Sequence, residues 1–227
     1  MADIKVMISL AFKAAYLQLV PAFEQASGHT VISLWAASVD MRARLKEGEV
    51  VDLIVMSRGA IEELIPFNAV TSAGITDLAS AGVGVAVKAG APRPDISTPE
   101  ALKKTLLAAK SVAYSTGPSG VYLSKLFERM GIADEIAGKL KRVKDEPAGE
   151  LVARGEAEIG FQQKSELLPV AGIDYIGPLP PEVQNVTVFA VGLHAKAPQP
   201  DAAKALVRFL TAPAAKPIIE ACGMDAA

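Results

Sequence analysis

The apolar run Ser111-Val112-Ala113-Tyr114 breaks into Ser115-Thr116-Gly117-Pro118-Ser119-Gly120 and resumes as an amphipathic stretch carrying Tyr122. Hydroxyls and glycines at a strand-to-helix junction suit one task. The first helical turn has unpaired N–H groups, the helix dipole stands behind them, and an anion satisfies both. Gly117 and Gly120 permit close backbone approach. Similar junctions recur along the chain, with Ser9, Phe12 and Lys13 after a first strand and Ala37, Ser38 and Asp40 after a second. Ser57 and Arg58 follow a third, and Gln162, Gln163 and Lys164 follow a later one. Ligands of open α/β sheets bind beyond the carboxyl ends of the strands. The candidate ligand set is therefore Ser9, Lys13, Ser38, Ser57, Arg58, Ser115, Gly117, Ser119, Gly120, Tyr122 and Gln163. Each serine taken singly also serves as a plain N-cap, and Tyr122 reaches either the ligand or the core.

Other chemistries lack their residues. Metal sites need clustered His, Cys or carboxylates, and the chain has His29, His194 and the single Cys222. No metal and no cofactor are expected. The Gly82-x-Gly84 pattern lies inside an apolar run rather than opening a helix, so it is not a dinucleotide fingerprint. Ser119 has no histidine placed to activate it. His29 reads as structural, His194 as a solvated turn residue, and Cys222 as a small apolar residue near the last helix. A net charge of −2 and 5% aromatic residues argue against nucleic-acid binding. No apolar run approaches the ~20 residues of a membrane span. The N-terminus enters a strand-like segment without a signal-peptide pattern, which fits a cytoplasmic chain or an exported one without its leader.

The elements that must position these residues alternate between β-rich apolar runs and helical patterns, as in an α/β fold with a largely parallel sheet. Strands are expected at Ile4–Ile8, Thr30–Trp35, Asp52–Met56, from Gly82 to Val87, and at Glu158–Gln162. Helices are expected over Ala14–Ala26 with Leu17, Val20 and Phe23 on one face, over Asp40–Glu47, Glu146–Ala153 and Pro200–Leu210, and after Pro213. Another follows Pro99, with Ser97 or Thr98 as its N-cap.

"IKVMISLAFKAAYLQLVPAFEQASGHTVISLWAASVDMRARLKEGEVVDLIVMS" resembles the N-terminal lobe of molybdate-type periplasmic substrate-binding proteins. "GPSGVYLSKLFERMGI", "ARGEAEIGFQQKSELLP" and "KALVRFLTAPAAKPIIEACGM" continue the likeness over nearly the whole chain. The resemblance implies a type II binding-protein topology of two α/β lobes joined by two crossing strands. Lobe 1 would be 1–82 plus 190–227 and lobe 2 would be 83–189, with a ligand cleft between them. It further implies a periplasmic monomer that hands a small anion to the permease of an ABC-type transporter.

Position by position, the family's first-loop serine falls at Ala11, with Ser9 offset, and its second-loop serine falls near Ala37-Ser38. Its backbone-donor loop falls at Ser57, here followed by Arg58. Its Pro-Ala-Gly-x-Tyr element is matched by Pro118-Ser119-Gly120-Val121-Tyr122, and its cleft tyrosine falls at Gln163. Molybdate-type sites hold a compact oxyanion with neutral donors, whereas Lys13, Arg58 and Lys164 bring charge. Guanidinium forks suit carboxylates, so the expected ligand is a small carboxylate-bearing anion. Arg42 and Arg44 are read as a solvated helix face.

Relatives of this family include aconitate isomerases, which shift a double bond in a tricarboxylate by allylic proton transfer. On that alternative Lys13, Arg58, Ser119 and Gln163 clamp carboxylates. Tyr122, Glu146, Glu166 or a desolvated Lys13 carries the proton, and spacing does not choose among them. Molybdate or another oxyanion is the second alternative.

Overall fold

The computed structural model describes residues 1–144 and 146–227 and divides into two compact units, Met1–Ser80 with Val188–Ala227, and Ala81–Thr187. The chain enters the first unit with β1 (Asp3–Ile8), α1 (Lys13–Ser27), β2 (Thr30–Trp35), α2 (Ser38–Lys46), β3 (Leu53–Ser57) and α3 (Arg58–Glu62). The long strand β4 (Val70–Lys88) carries it into the second unit. There it forms α4 (Pro99–Ala108), β5 (Val112–Ser115), α5 (Pro118–Arg129), α6 (Ala133–Ile136), β6 (Leu140–Val143) and α7 (Ala148–Ala153). β7 (Ile159–Gln163), α8 (Lys164–Leu167) and β8 (Ile173–Pro178) follow, and β9 (Val186–His194) returns the chain to the first unit. α9 (Pro200–Leu210), α10 (Lys216–Ala221) and β10 (Asp225–Ala226) complete it.

In the first unit the strand order is β2-β1-β3-β9-β4, with β10 also on β4. β1 pairs in parallel with β2 and β3, while β9 runs antiparallel to β3 and β10 antiparallel to β4. In the second unit the order is β4-β7-β5-β6, with β8 also on β4. β5 is parallel to β6 and β7, and β4 is antiparallel to β7 and β8. The sheets are therefore mixed rather than largely parallel. Each crossing strand runs against the βα strands that it joins in the unit it enters.

Apolar spacing explains the helices. In α1 the buried residues Tyr16, Leu19, Val20 and Phe23 recur at helical intervals. Leu17, expected on that face, lies one position off it and is exposed. Pro21 stays inside α1 without ending it, and Gly28 closes the helix in the left-handed region at φ 70°. In α5, Leu123, Leu126 and Phe127 face a core with Val83, Val85, Val112, Ile159 and Phe161. The first unit has a core of its own, in which Met7, Met41, Ile54, Met56, Ile61 and Val70 meet.

Several boundaries differ from the sequence reading for local reasons. β4 begins at Val70, far upstream of Gly82. Its Ala/Gly/Ser/Thr-rich first half lacks an apolar pattern and is held as strand by pairing, as with β10 at Ala79 and Ser80. α7 begins at Ala148 rather than Glu146 because Pro147 is extended at its N-cap and disfavours helix in the residue before it. Thr98 caps α4, its Oγ1 accepting from Ala101 N at 3.1 Å. Gly84 admits the ring of Tyr175, which a Cβ there would approach to 2.4 Å.

Two buried polar groups staple the first unit. The Asp52 carboxylate accepts from Lys5 N at 2.8 Å and Gln199 N at 2.6 Å, tying β1 to the start of α9. His194, expected in a solvated turn, is instead 5% exposed. Its Nδ1 accepts from Lys196 N at 3.0 Å, and burial with the nearby Lys196 charge pushes its pKa down. His29 is structural: its Nδ1 accepts from Ala2 N at 3.2 Å, and its ring stacks on Phe23.

Gly120 seats α5 on β5. A Cβ at this position would stand 1.6 Å from the Ser115 carbonyl oxygen. Gly120→Ala is expected to lower stability by about 2–4 kcal/mol in urea denaturation. Gly138→Ala, where a Cβ meets nothing within 4 Å, should stay within about 0.5 kcal/mol of the parent. Equal effects of the two substitutions would refute this account of the seating.

Candidate functional site

Because β1, β2 and β3 are parallel, their carboxyl ends share one edge, with Ile8 opposite both Trp35 and Val55. The chain leaves that edge in register: Ser9 N donates to Val55 O at 2.9 Å, and Ala36 N to Ile8 O at 3.3 Å. α1, α2 and α3 then begin with Phe12, Ala37 and Ser57 as N-caps, none supplying a side-chain hydrogen bond. Among the described helices Thr98 at α4 is the one N-cap whose side chain accepts such a bond. At α2 and α3 first-turn N–H donors remain for a ligand, in a field that favours negative charge, whereas Lys13 N of α1 already donates to Leu10 O of the 3-10 turn Leu10–Phe12. Ser38 opens α2 and Ser57 precedes α3, both half-buried. Ser9 is 5% exposed, and its buried Oγ has no hydrogen-bond partner. A buried unsatisfied hydroxyl costs about 1–3 kcal/mol and points to a group that would meet it.

The cations of this unit divide sharply. Arg58 donates from Nε to Glu62 at 2.9 Å and from Nη1 to Asp77 at 2.5 Å, and the Asp77 bond and charge, then Glu62, hold its pKa up. Its guanidinium is thus committed to two carboxylates of the protein. Arg42 pairs with Glu63 and Arg44 with Glu49. Lys13, at the first position of α1, instead lies with Nζ 5.4 Å from the centroid of the Trp35 ring. An exposed cation–π pair of this kind contributes about 0.5–1 kcal/mol. Trp35 is braced edge-on by Tyr16 at 5.6 Å, and the Tyr16 hydroxyl shares a hydrogen bond with Ser33 Oγ at 3.1 Å.

The second unit repeats the pattern at the shared carboxyl edge of β7, β5 and β6. Thr116 N donates to Val143 O at 2.8 Å, and Gly117 N to Ser115 Oγ at 3.2 Å. Ser115 and Ser119 are buried with their hydroxyl oxygens 3.4 Å apart, beneath the uncapped start of α5. Gly117 is in extended backbone at φ −74° and would tolerate a Cβ, so the close approach belongs to Gly120 alone. Tyr122 packs beside the core, donating its hydroxyl to Val183 O at 2.7 Å and accepting from Arg129 at 3.0 Å.

Gln163 is fully buried. With its amide oriented to satisfy all its neighbours, it donates to Ala81 O at 2.9 Å and Gly82 O at 3.2 Å and accepts from Thr187 Oγ1 at 2.9 Å. It therefore binds β4 and β9 within this unit. Gln162, one residue earlier, faces the other way: its Oε1 accepts from Ala148 N at 2.6 Å, and its Nε2 donates to Glu166 Oε1 at 2.7 Å. Glu166 keeps some accessible surface, but dense packing around its carboxyl pushes its pKa up to about 7, partly offset by the Gln162 bond. Glu146 is exposed and held by Arg154 at 2.9 and 3.1 Å. Lys164 is exposed at the start of α8.

Ser9, Lys13, Ser38, Ser57 and Arg58 thus lie along the first unit's edge, and Ser115, Gly117, Ser119 and Gly120 along the second's. Tyr122, Gln163 and Glu146 have protein partners of their own. Sequence reasoning missed Trp35 and Asp77, and it named Gln162 and Glu166 without the hydrogen bonds that link them to each other and to Ala148 N; the lone tryptophan just before Ala36-Ala37-Ser38 was the one available signal. A depression of about 300 Å³ lined by Val87, Arg93, Thr105 and Ile159 lies at the opposite edge of the second unit and holds none of the candidates. Among the described residues, no three His, Cys, Asp or Glu side chains gather as a metal would require, and no helix is long and apolar enough to cross a membrane.

Comparison with known proteins adds three findings. The model of a family described as bacterial extracellular solute-binding protein matches residues 4–225. An aconitate isomerase from a Pseudomonas species is 38% identical over 213 residues, 91% of this chain and 81% of that one. The fold is that of type II periplasmic binding proteins. The periplasmic molybdate-binding protein of Azotobacter vinelandii superposes with a TM-score of 0.80 at 18% identity, covering 97% and 98% of the two chains. The sulfate-binding protein SubI of Mycobacterium tuberculosis gives 0.77 at 16% identity, covering 99% and 86%. At such identities the structural likeness speaks for the fold alone.

The Glu166 environment has a measurable consequence. Its carboxyl lies near 7 against an ordinary 4.5, so the folded chain favours the protonated form. The stability this adds is complete below pH about 4.5 and is lost as pH rises through about 7. Glu166→Gln is expected to match the parent near pH 5 and to exceed its stability by about 1–3 kcal/mol near pH 8 in urea denaturation. An equal difference at both pH values would refute the burial argument.

Proposed function

The chain belongs to the bacterial extracellular solute-binding protein family, and on that premise we propose that it binds a small carboxylate-bearing organic anion at its strand-tip edges and delivers it to a membrane permease. The observation that carries this reading is the buried and unpartnered Ser9 hydroxyl at the carboxyl edge that parallel β1, β2 and β3 share, where α2 and α3 also begin. Backbone N–H groups hold a carboxylate without placing a full positive charge on the site, so binding needs no covalent or acid–base step. Arg58 is a weaker support than its sequence position implies, because Asp77 and Glu62 already neutralise it.

A second reading is favoured by the 38% identical aconitate isomerase and by the position of Glu166. A carboxyl titrating near neutrality is present in both forms at working pH, which suits a group that first takes and then returns a proton. As carboxylate, Glu166 would remove a proton from the methylene carbon of aconitate. The double bond would move by one carbon, and the newly protonated Glu166 would deliver the proton to the former vinyl carbon. Gln162, anchored by Ala148 N, would hold Oε1 in place throughout.

A thermal-shift panel of molybdate, sulfate, phosphate and di- and tricarboxylates tests the first reading, since a ligand raises apparent stability by mass action. Stabilisation by carboxylates is expected, and a response to molybdate alone would overturn it. Incubation with cis-aconitate, followed for the trans isomer, separates the two readings. Saturable binding without conversion supports the receptor. Conversion that rises through pH about 7 and is abolished in Glu166→Gln supports the isomerase.

A further inference from the structure

We propose that Lys13 sets the charge of the ligand: resting on the carboxylate-site reading above, its ammonium takes a second carboxylate beside the one held at the strand tips, and Trp35 reports the event. Lys13 differs from the other cations near this edge of the first unit. Arg42, Arg44 and Arg58 each carry a carboxylate partner, and Lys46, at the C-terminal end of α2, lies over the Phe67 ring. Among the described residues the Lys13 side chain has no carboxylate partner, and its ammonium lies over the Trp35 ring.

Its place in the chain is unfavourable for the empty protein. Lys13 opens the 15-residue helix α1 directly after a 3-10 turn over Leu10–Phe12, so it lies one turn inside a helical run that begins at Ser9, with no side-chain cap and no acidic residue at either start. A cation there opposes the positive end of the helix dipole. The Trp35 face offsets part of that cost, and a bound anion would add attraction to both the ammonium and the helix start. An independent feature marks the same place. One turn earlier, Ser9 presents a hydroxyl that is buried and unpartnered, in a residue 5% exposed. An anion with a single charged group is satisfied by the hydroxyl and the N–H groups. A di- or tricarboxylate has a further charge to place, and Lys13 is the cation left over for it.

Trp35 makes this readable. It is the sole tryptophan of the chain, so its fluorescence has one source. Its ring meets Tyr16 edge-on at 5.6 Å and has the Lys13 ammonium 5.4 Å from its centroid. Drawing the ammonium toward a carboxylate changes the field at the indole.

The test is a titration of the parent, Lys13→Gln and Lys13→Arg with acetate, succinate, citrate and sulfate, followed by calorimetry and tryptophan fluorescence. Lys13 is exposed, and ligand-free melting points of the three proteins should agree within about 2 °C. In the parent, succinate and citrate should bind more tightly than acetate and shift the fluorescence with the calorimetric constant. Lys13→Gln should weaken succinate and citrate about tenfold while leaving acetate and sulfate within about twofold, and Lys13→Arg should restore most of the loss. Undiminished citrate binding in Lys13→Gln, an equal loss for all four anions, or no rescue by arginine would overturn the role of Lys13 while leaving the carboxylate site standing. A parent that binds none of the carboxylates would sink the site reading and this inference with it.

Discussion

Backbone N–H groups at the starts of α2, α3 and α5 have no acceptor within their own helices, and no side chain at the N-cap supplies one. Such starts are satisfied by water or by a ligand, and the buried Ser9 hydroxyl beside them has neither a protein partner nor exposure to solvent. The parallel pairing of β1, β2 and β3, and separately of β5, β6 and β7, directs these donors to a common edge in each unit. Everything said about function depends on that convergence. It requires only that strands run the same way and that helices follow them without caps.

Holding such an edge in place takes rigid supports, and the molecule provides them away from the tips. The Asp52 carboxylate joins β1 to the start of α9 through two backbone N–H groups. Gln163 joins β7 to β4 and β9. Gly120 lets α5 descend onto the Ser115 carbonyl. These groups are buried and fully partnered, as a low-dielectric interior demands. Gln163 thus stands where the resemblance places a ligand-binding phenol, but its amide spends its hydrogen bonds on the scaffold.

Charge is distributed by the same economy. Arg58, Arg42, Arg44 and Arg154 each face carboxylates. Such exposed pairs contribute little stability, but they quench positive potential that would otherwise extend over the surface. Among the described residues near the tips, the Lys13 ammonium above Trp35 in the first unit and Lys164 at the start of α8 in the second show no carboxylate partner. In that second unit the potential is modulated by Glu166, whose burial keeps it close to its titration point at neutral pH.

The local sequence was sufficient for much of this. β2 and α9 were legible to the residue, since Thr30–Trp35 and Pro200–Leu210 combine a clear apolar pattern with punctuation at both ends. The hydroxyl- and glycine-bearing loops after the strands were legible for the same reason, because turn chemistry is written in residue type. β6 and the first half of β4 were not, as Leu140–Val143 and the Ala/Gly/Ser/Thr-rich stretch after Val70 have no apolar signature and become strands through pairing with distant partners. Partnership is equally nonlocal: Arg58 meets Asp77, Gln163 meets Thr187, and Glu166 is surrounded by its fold. Sequence by itself determined which chemical groups stand at the strand ends, because that is a matter of order along the chain. Tertiary structure alone decided which of those groups stay free to meet a ligand, because a side chain's availability depends on neighbours that only folding brings within hydrogen-bonding distance.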